Sequence, residues 1–374
     1  MRLQRLYRSS QPRVLQPIVT TAAGLEELAA HLAGEARIGL DTEFLRERTY
    51  RAQLCLVQLS SPTTAACVDP LLLEDLAPLA RVLTAPGVVK VMHASRQDLE
   101  VLLPLAGLSG PVFDTQIAAS LTGLPAQVGY AELVRRLLGR ELAKSHTRTD
   151  WSRRPLSPEQ VAYALDDVNY LLPLADQLQE TLTRLGRLEW LEQELAELAD
   201  PAALSVDPEQ AWRRLKGLGN LDEGRMRLAR ALASWRERSA IEHNRPRGWI
   251  LDEAVLREIV LQVPRTEASL EAIPDMPPGL AKRRGAELLA CVMAAQIPEP
   301  PPPPPARARP DPLRSALVKK LAGITQAVAV ELAVAPEVLA TRRDLEQLAE
   351  GAREGVVLRG WRRPLLGERL LAAL

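Results

Sequence analysis

Between residues 14 and 120 the chain changes hydrophobic period repeatedly, and beyond about residue 130 it stops doing so. "RIGLDTEF", "RAQLCLVQLS" and "TAACVDP" are short strand-like runs, the first two rich in Val, Ile and Leu. "LLLEDLAPLARVLTA" has helical spacing, "GVVKVMHA" returns to strand, "QDLEVLLPLAG" is helical, and "PVFDT" is a short last strand before "QIAASLTG". Three consecutive strands followed by alternating helices and strands predict a mixed sheet flanked by helices, an α/β domain. The remainder reads as helical. Prolines and an aspartate in "DPAALSVDP" interrupt the helices near residues 200–208, and residues 209–295 read as several short ones. "IPEPPPPPPARARP" at 297–310 can be neither helix nor sheet and reads as an extended spacer of about 3.1 Å per residue. The expected division is therefore 1–204, 205–296, a linker at 297–311, and a last small helical unit at 312–374, which the spacer isolates mechanically.

The first strand ends in two acids. Residues i and i+2 of a strand share a face, so Asp41 and Glu43 point the same way. Two carboxylates on one face repel unless something positive lies between them, and a divalent cation would serve. The alternative is a strand ending in a solvated acidic turn. A third acid, Asp98, lies in the first turn of a helix that follows a strand; there Ser95 and Asp98 also match the S-x-x-D capping box, which needs no metal. A fourth comes from "SPEQVAYALDDVNYLLPL". Val161, Leu165, Val168 and Leu172 mark its buried stripe, which places Tyr163, Asp167 and Tyr170 on roughly the opposite side. Two tyrosines flanking an acid fit the wall of a cleft, with Tyr163 and Asp167 neighbours at i, i+4. Asp166 points elsewhere and reads as a solvated acid.

Composition excludes several classes. The 374 residues allow two or three domains, and a hydrophobic content of 47% supports a sizeable core. Lys+Arg and Asp+Glu both number 47, so any surface for nucleic acid or membrane is local. Cys55, Cys67 and Cys291 show no CxxC spacing and read as thiols in a reducing compartment. The basic N-terminus lacks the apolar core of a signal peptide, and no run approaches the roughly 18 apolar residues of a membrane span. A cytoplasmic protein is expected. His31, His93, His146 and His243 show no metal-ligand pattern, and His93 reads as a satisfied structural residue. No G-x-x-x-x-G-K-[ST] loop is present, so no helicase motor lies in cis.

"DTEF", "HASRQDL" and "YALDDVNYLL", in that order, resemble the three exonuclease motifs of the DEDD superfamily in its tyrosine-bearing branch. The similarity to the ribonuclease D family continues through "YRAQLCLVQLS", "FDTQIAASL" and "KSHTRTDWSRRPLSPEQVAYALDDVNYLLPL". It implies a ribonuclease-H-like sheet and two divalent cations, Mg²⁺ or Mn²⁺. Asp41 would touch both, Glu43 and Asp167 the first, Asp98 the second, and Tyr163 would orient the attacking water. It further implies a 3′→5′ exoribonuclease acting on RNA with a free 3′ end, with precursor transfer RNA as substrate. A DNA 3′→5′ exonuclease and a non-catalytic nucleic-acid-binding adaptor are the alternatives; the presence of all four carboxylates and the tyrosine counts against the adaptor.

For substrate contacts, residues 135–154 gather Arg135, Arg136, Arg140, Lys144, Arg148, Arg153 and Arg154 around Trp151. A basic stretch with an aromatic suits single-stranded nucleic acid; the alternative is a solvated helix and turn with Trp151 as a packing anchor. Downstream, the lysine–glycine pair at Lys216, then "LASWRERSA" and "RPRGWILDE", resemble the HRDC (helicase-and-RNase-D C-terminal) domain. There Lys216, Arg225, Arg227 and Arg230 are candidate phosphate contacts, while Trp235 reads as a core anchor. The segment ending "LRGWRRPLLGERLL" resembles a second, diverged HRDC-like domain.

Overall fold

The computed structural model describes residues 17–107, 110–142, 149–200, 204–218, 221–298 and 311–374. The expected spacer falls on 299–310, outside the described residues, apart from its first two positions. The described chain divides into two compact units, one of 1–45, 54–204 and 312–374, the other of 46–53 and 205–311.

The first unit is built on a six-stranded sheet ordered β1-β4-β3-β2-β5-β6. Its strands are β1 (Ile18–Val19), β2 (Arg37–Leu45), β3 (Gln53–Ser60), β4 (Ala65–Val68), β5 (Val89–Met92) and β6 (Val112–Asp114). β3 and β4 are antiparallel, while β1 with β4, β2 with β5, and β5 with β6 run parallel, so the sheet is mixed as the sequence predicts. Two features were not legible beforehand: the two-residue edge strand β1, and the helix α1 (Ala22–Ala33) that follows it.

Alternation along the strands assigns each face to a different helical layer. Ile38, Leu40, Val57, Leu59, Ala66 and Val68 enter one core with α1, α2 (Ala77–Thr84) and α3 (Arg96–Ala106). Leu56, Ala65 and Cys67 face the other way, against Trp151 and the stripe Val161, Ala164 and Leu165 of α6 (Pro158–Asn169). Val168, Leu171 and Ala175 continue that layer over Val91 of β5. The helical run read as one element breaks at Tyr170, where ψ rises to 0° between α6 and α7 (Leu171–Leu185). Tyr170 therefore leaves the expected cleft wall and packs partly buried against the core beneath α7.

The C-terminal segment is not isolated. Leu174, Leu178 and Leu182 of α7 share one buried cluster with Leu321, Val328, Leu345, Trp361 and Leu366. Trp361 stacks on Trp190 with ring centroids 4.4 Å apart. Glu194 of α8 (Leu188–Leu198) accepts from both the Trp361 indole and the Arg362 guanidinium. The mechanical independence expected of residues 312–374 is overturned: residues 312–374 share a buried core with α7 and α8.

The second unit centres on the helix Glu223–Glu242, whose Leu228, Ala229 and Leu232 pack against Val255, Leu256, Ile259 and Leu288. Trp235 packs at the margin of this core and donates to Glu287 at 2.7 Å, an anchor as expected.

Candidate active site

β2 delivers the first two acids. With Ile38 and Leu40 committed to the core below, Gly39, Asp41 and Glu43 face α6. Gly39 makes the approach of that helix possible. A Cβ there would lie 2.3 Å from Ser60 Oγ and 3.1 Å from the Val168 carbonyl oxygen, and the Ser60 hydroxyl donates to that same carbonyl at 2.9 Å. The absent side chain thus lets the end of α6, with Asp167, lie against the strand bearing Asp41.

Asp98 comes from the first turn of α3, but the capping box available in the sequence does not form. Ser95 Oγ donates instead to Asp114 at 2.8 Å, leaving the Asp98 carboxylate to accept from Thr42 Oγ1 at 2.5 Å. Asp114, only 1% exposed, also accepts from the Ala94 and Ser95 amides and caps α4 (Thr115–Leu121) through the Gln116 and Ile117 amides. It holds Ala94 in a left-handed conformation (φ 53°) and so sets the angle at which α3 presents Asp98. His93 is satisfied by Thr115 Oγ1 at 2.8 Å and the Val128 carbonyl at 3.0 Å, as expected of a structural histidine.

α6 supplies the rest. Its start is fixed by a capping box between Ser157 and Gln160 with Pro158 in the first turn, a signal present in "SPEQ". Tyr163 and Asp167 project from one side of it. Asp166 is not the solvated acid expected: it is half-buried, burial raises its pKa, and its main-chain carbonyl accepts from the Tyr130 hydroxyl.

Burial is the largest influence on these acids, and charge from neighbouring carboxylates adds to it. Glu43 is pushed up to about 8, by burial and then by Asp167 and Asp98. Asp167 rises to about 7 through burial and Asp166, and Asp98 to about 6 through burial, with the Thr42 hydroxyl pulling the other way. Asp41 is raised well above the carboxylate range by burial and by Asp98, Asp167 and Glu43 together. The Tyr163 hydroxyl, pushed up to about 12 by burial and by Asp167, Glu43 and Asp41, stays protonated. Four oxygen donors sharing uncompensated charge fit a hard divalent cation. Among the described residues no three His, Cys, Asp or Glu side chains close on one point, so the acids form a cluster by charge and not a finished cage.

Residues 16–183 match the family model described as 3′-5′ exonuclease, and residues 225–292 match that of the HRDC domain. The chain is 40% identical to ribonuclease D of Granulibacter bethesdensis and to that of Gluconacetobacter diazotrophicus, each alignment covering 98% of this chain and 95% of the relative. The crystal structure of Escherichia coli RNase D superposes with a TM-score of 0.84 at 32% identity, covering 96% of this chain and 98% of that one. The chain belongs to the ribonuclease D family. It is accordingly a 3′→5′ exoribonuclease, and its exonuclease fold implies dependence on a divalent metal.

Membership in a family of RNA-degrading enzymes does not make every basic residue an RNA contact. Lys144 and Arg148 lie outside the described residues. Trp151 is 4% exposed, packs among Cys55, Leu56 and Val161, and stacks on Tyr163 with ring centroids 6.3 Å apart. It cannot stack on a base; its contact is the candidate water-orienting tyrosine. Arg154 is likewise withdrawn: its guanidinium holds both oxygens of the buried Asp69 carboxylate and the carbonyls of Cys55 and Trp151. Arg153 remains exposed and pairs with Asp150 at 3.0 Å. Arg135 and Arg136 both close on Glu132.

In the second unit Arg225 is 1% exposed, paired with Asp222 at 2.7 Å and bonded to the Leu261 carbonyl, so it is a core residue and no phosphate contact. Arg227 is partly occupied by Glu223 and the Ala295 carbonyl, and Arg230 lies over the Trp212 ring at 4.6 Å. Lys216 stays exposed. A run of basic residues gives charge but not burial, and burial decided these cases.

Proposed function

We propose that the chain shortens RNA from its 3′ end one nucleotide at a time by metal-dependent hydrolysis, releasing nucleoside 5′-monophosphates. Precursor transfer RNA in the cytoplasm is the proposed substrate. The observation that carries this reading is the buried acidic cluster, in which all four acids have raised proton affinity and Asp98 and Asp167 act on both Asp41 and Glu43. Two divalent ions, Mg²⁺ or Mn²⁺, would supply charge stabilisation for the attacking and leaving oxygens of an in-line displacement. Asp41 would hold both ions, Glu43 and Asp167 the first, Asp98 the second. The protonated Tyr163 hydroxyl orients the attacking water, its ring held by Trp151. Thr42 and Asp114 keep Asp98 turned toward β2. A structured substrate is supported by the Escherichia coli relative, described as an exoribonuclease involved in structured RNA processing. We assign residues 205–296 to HRDC and residues 312–374 to a second HRDC-like module, with Lys216 and Arg153 as the exposed candidates for phosphate contact.

The test uses RNA labelled at its 5′ end, a matching DNA, and a precursor transfer RNA with a 3′ extension, each with Mg²⁺ and with EDTA. A ladder of single-nucleotide steps from the RNA 3′ end, abolished by EDTA, is expected. Degradation of DNA alone, or an EDTA-insensitive ladder, would sink the reading.

A further inference from the structure

Gln58 lies in the middle of β3, fully buried, and among the described residues neither its side-chain nitrogen nor its side-chain oxygen has a hydrogen-bond partner. Leaving a buried amide unsatisfied costs on the order of 1–3 kcal/mol, and native folds keep such groups few. A methionine or leucine would fill the same space without that cost.

Its position is fixed by the strand pattern. Val57 and Leu59 point into the core beneath the sheet, so Leu56, Gln58 and Ser60 share the face toward α6. Ser60 Oγ meets Gly39 of β2 and the Val168 carbonyl of α6. Asp41 is two residues beyond Gly39 on that same face of the neighbouring strand. On the other flank Gln58 pairs in register with Cys67 of β4, whose thiol feels the charges of Asp167 and Glu43. The unpartnered amide thus lies on the sheet face that bears the acidic cluster, between the strand of Asp41 and a strand whose thiol feels the charge of Asp167 and Glu43.

We propose that Gln58 is a positioning residue for the metal site: its amide N–H donates to the Asp41 carboxylate and its carbonyl accepts from water held at the cluster when a divalent ion is bound. This rests on the metal reading given above. The amide is a neutral donor, so it orients a carboxylate without competing with the cation for charge, as outer-sphere partners of metal ligands do.

The test measures Mn²⁺ affinity of the full chain by calorimetry and by paramagnetic resonance, with melting temperatures in EDTA. Gln58→Met removes the amide at nearly constant volume. Expected are a melting temperature in EDTA equal to or above wild type and an Mn²⁺ affinity about 10–100-fold weaker. A raised melting temperature with affinity within twofold of wild type would overturn the proposal, leaving Gln58 a frustrated core residue. Should that variant not fold, Gln58→Asn keeps the amide but withdraws it by one methylene: a several-fold loss of affinity supports the proposal, and unchanged affinity overturns it. Asp41→Asn separates the two levels. If it retains full Mn²⁺ affinity, the metal reading itself fails; if it loses affinity while the Gln58 variants do not, only this inference fails.

Discussion

In the sheet unit four buried carboxylates are raised by burial and by neighbouring acids, whereas in the second unit the arginines of the helix Glu223–Glu242 are answered within the fold. Arg225 closes on Asp222, Arg227 on Glu223 and Arg238 on Glu209, while Arg230 covers Trp212. Both regions carry dense charge in the sequence. A charge answered inside the protein holds the fold, and a charge left unanswered waits for a ligand. The two therefore respond oppositely to substitution.

The largest effect is expected at Asp41. Asp41→Asn removes a donor from the cluster and with it several kcal/mol of transition-state stabilisation, so kcat falls by about 10³-fold or more. Its melting temperature in EDTA stays level or rises, because a buried carboxyl whose ionisation burial and neighbouring acids oppose has been replaced by a neutral amide of the same shape. Arg225→Ala inverts the outcome. It empties a buried site and strands the Leu261 carbonyl, lowering stability by about 3 kcal/mol, while the folded fraction keeps its specific activity. Denaturant melts run beside single-turnover assays separate the two. An Asp41 variant that unfolds but still cuts would break the comparison.

A second test uses proton uptake. Glu43, Asp167 and Asp98 titrate near 8, 7 and 6 in the folded chain, against about 4 when unfolded. Between those limits the native state binds more protons than the unfolded one, so stability in EDTA falls as pH rises from about 5 to 8. A divalent ion replaces the protons and should flatten or reverse that slope. Thermal melts across this range with EDTA and with Mg²⁺ check it; identical slopes would mean the acids do not share a cation.

The acids were legible because strand and helix periods fix a face locally: Asp41 and Glu43 by alternation, Tyr163 and Asp167 by i, i+4. What supports them was not. Gly39 matters only because the Val168 carbonyl, distant in sequence, comes close to it, and Asp114 acts on a loop 19 residues away. The arginines were misread for a related reason. Arg154 meets Asp69 across 85 residues, and no local pattern marks that partner. The shared core of α7 with Leu321 and Trp361 escaped likewise, hidden behind a proline tract that reads as a boundary.

Tyr163 and Trp151 sharpen the comparison within one site, since Trp151 was expected to face RNA and faces the tyrosine. Tyr163→Phe keeps the ring and loses the hydroxyl, so kcat should fall about tenfold to a hundredfold with KM unchanged. Trp151→Leu loosens the ring and should lower kcat by less, again without raising KM. In the double variant the two effects should not add, because the second change finds no hydroxyl left to misplace. Additive effects, or a rise in KM for Trp151→Leu alone, would return Trp151 to the substrate.

The smallest expected effect belongs to Lys216, which the second unit leaves exposed while burying Arg225. A phosphate contact releases condensed counterions, so losing one flattens the slope of log affinity against log salt by about 0.7 on a single strand, without altering chemistry. Lys216→Ala should therefore weaken binding of a precursor transfer RNA several-fold at low salt and converge on wild type as salt rises, with kcat unchanged. Arg225→Met, which keeps bulk in the core and removes the charge, should leave that slope untouched at temperatures where the variant stays folded. Affinities across a salt series, for wild type and both variants, decide the matter. If Arg225→Met flattens the slope and Lys216→Ala does not, burial has been a poor guide to which cations meet RNA, and the contrast between answered and unanswered charge fails in this unit.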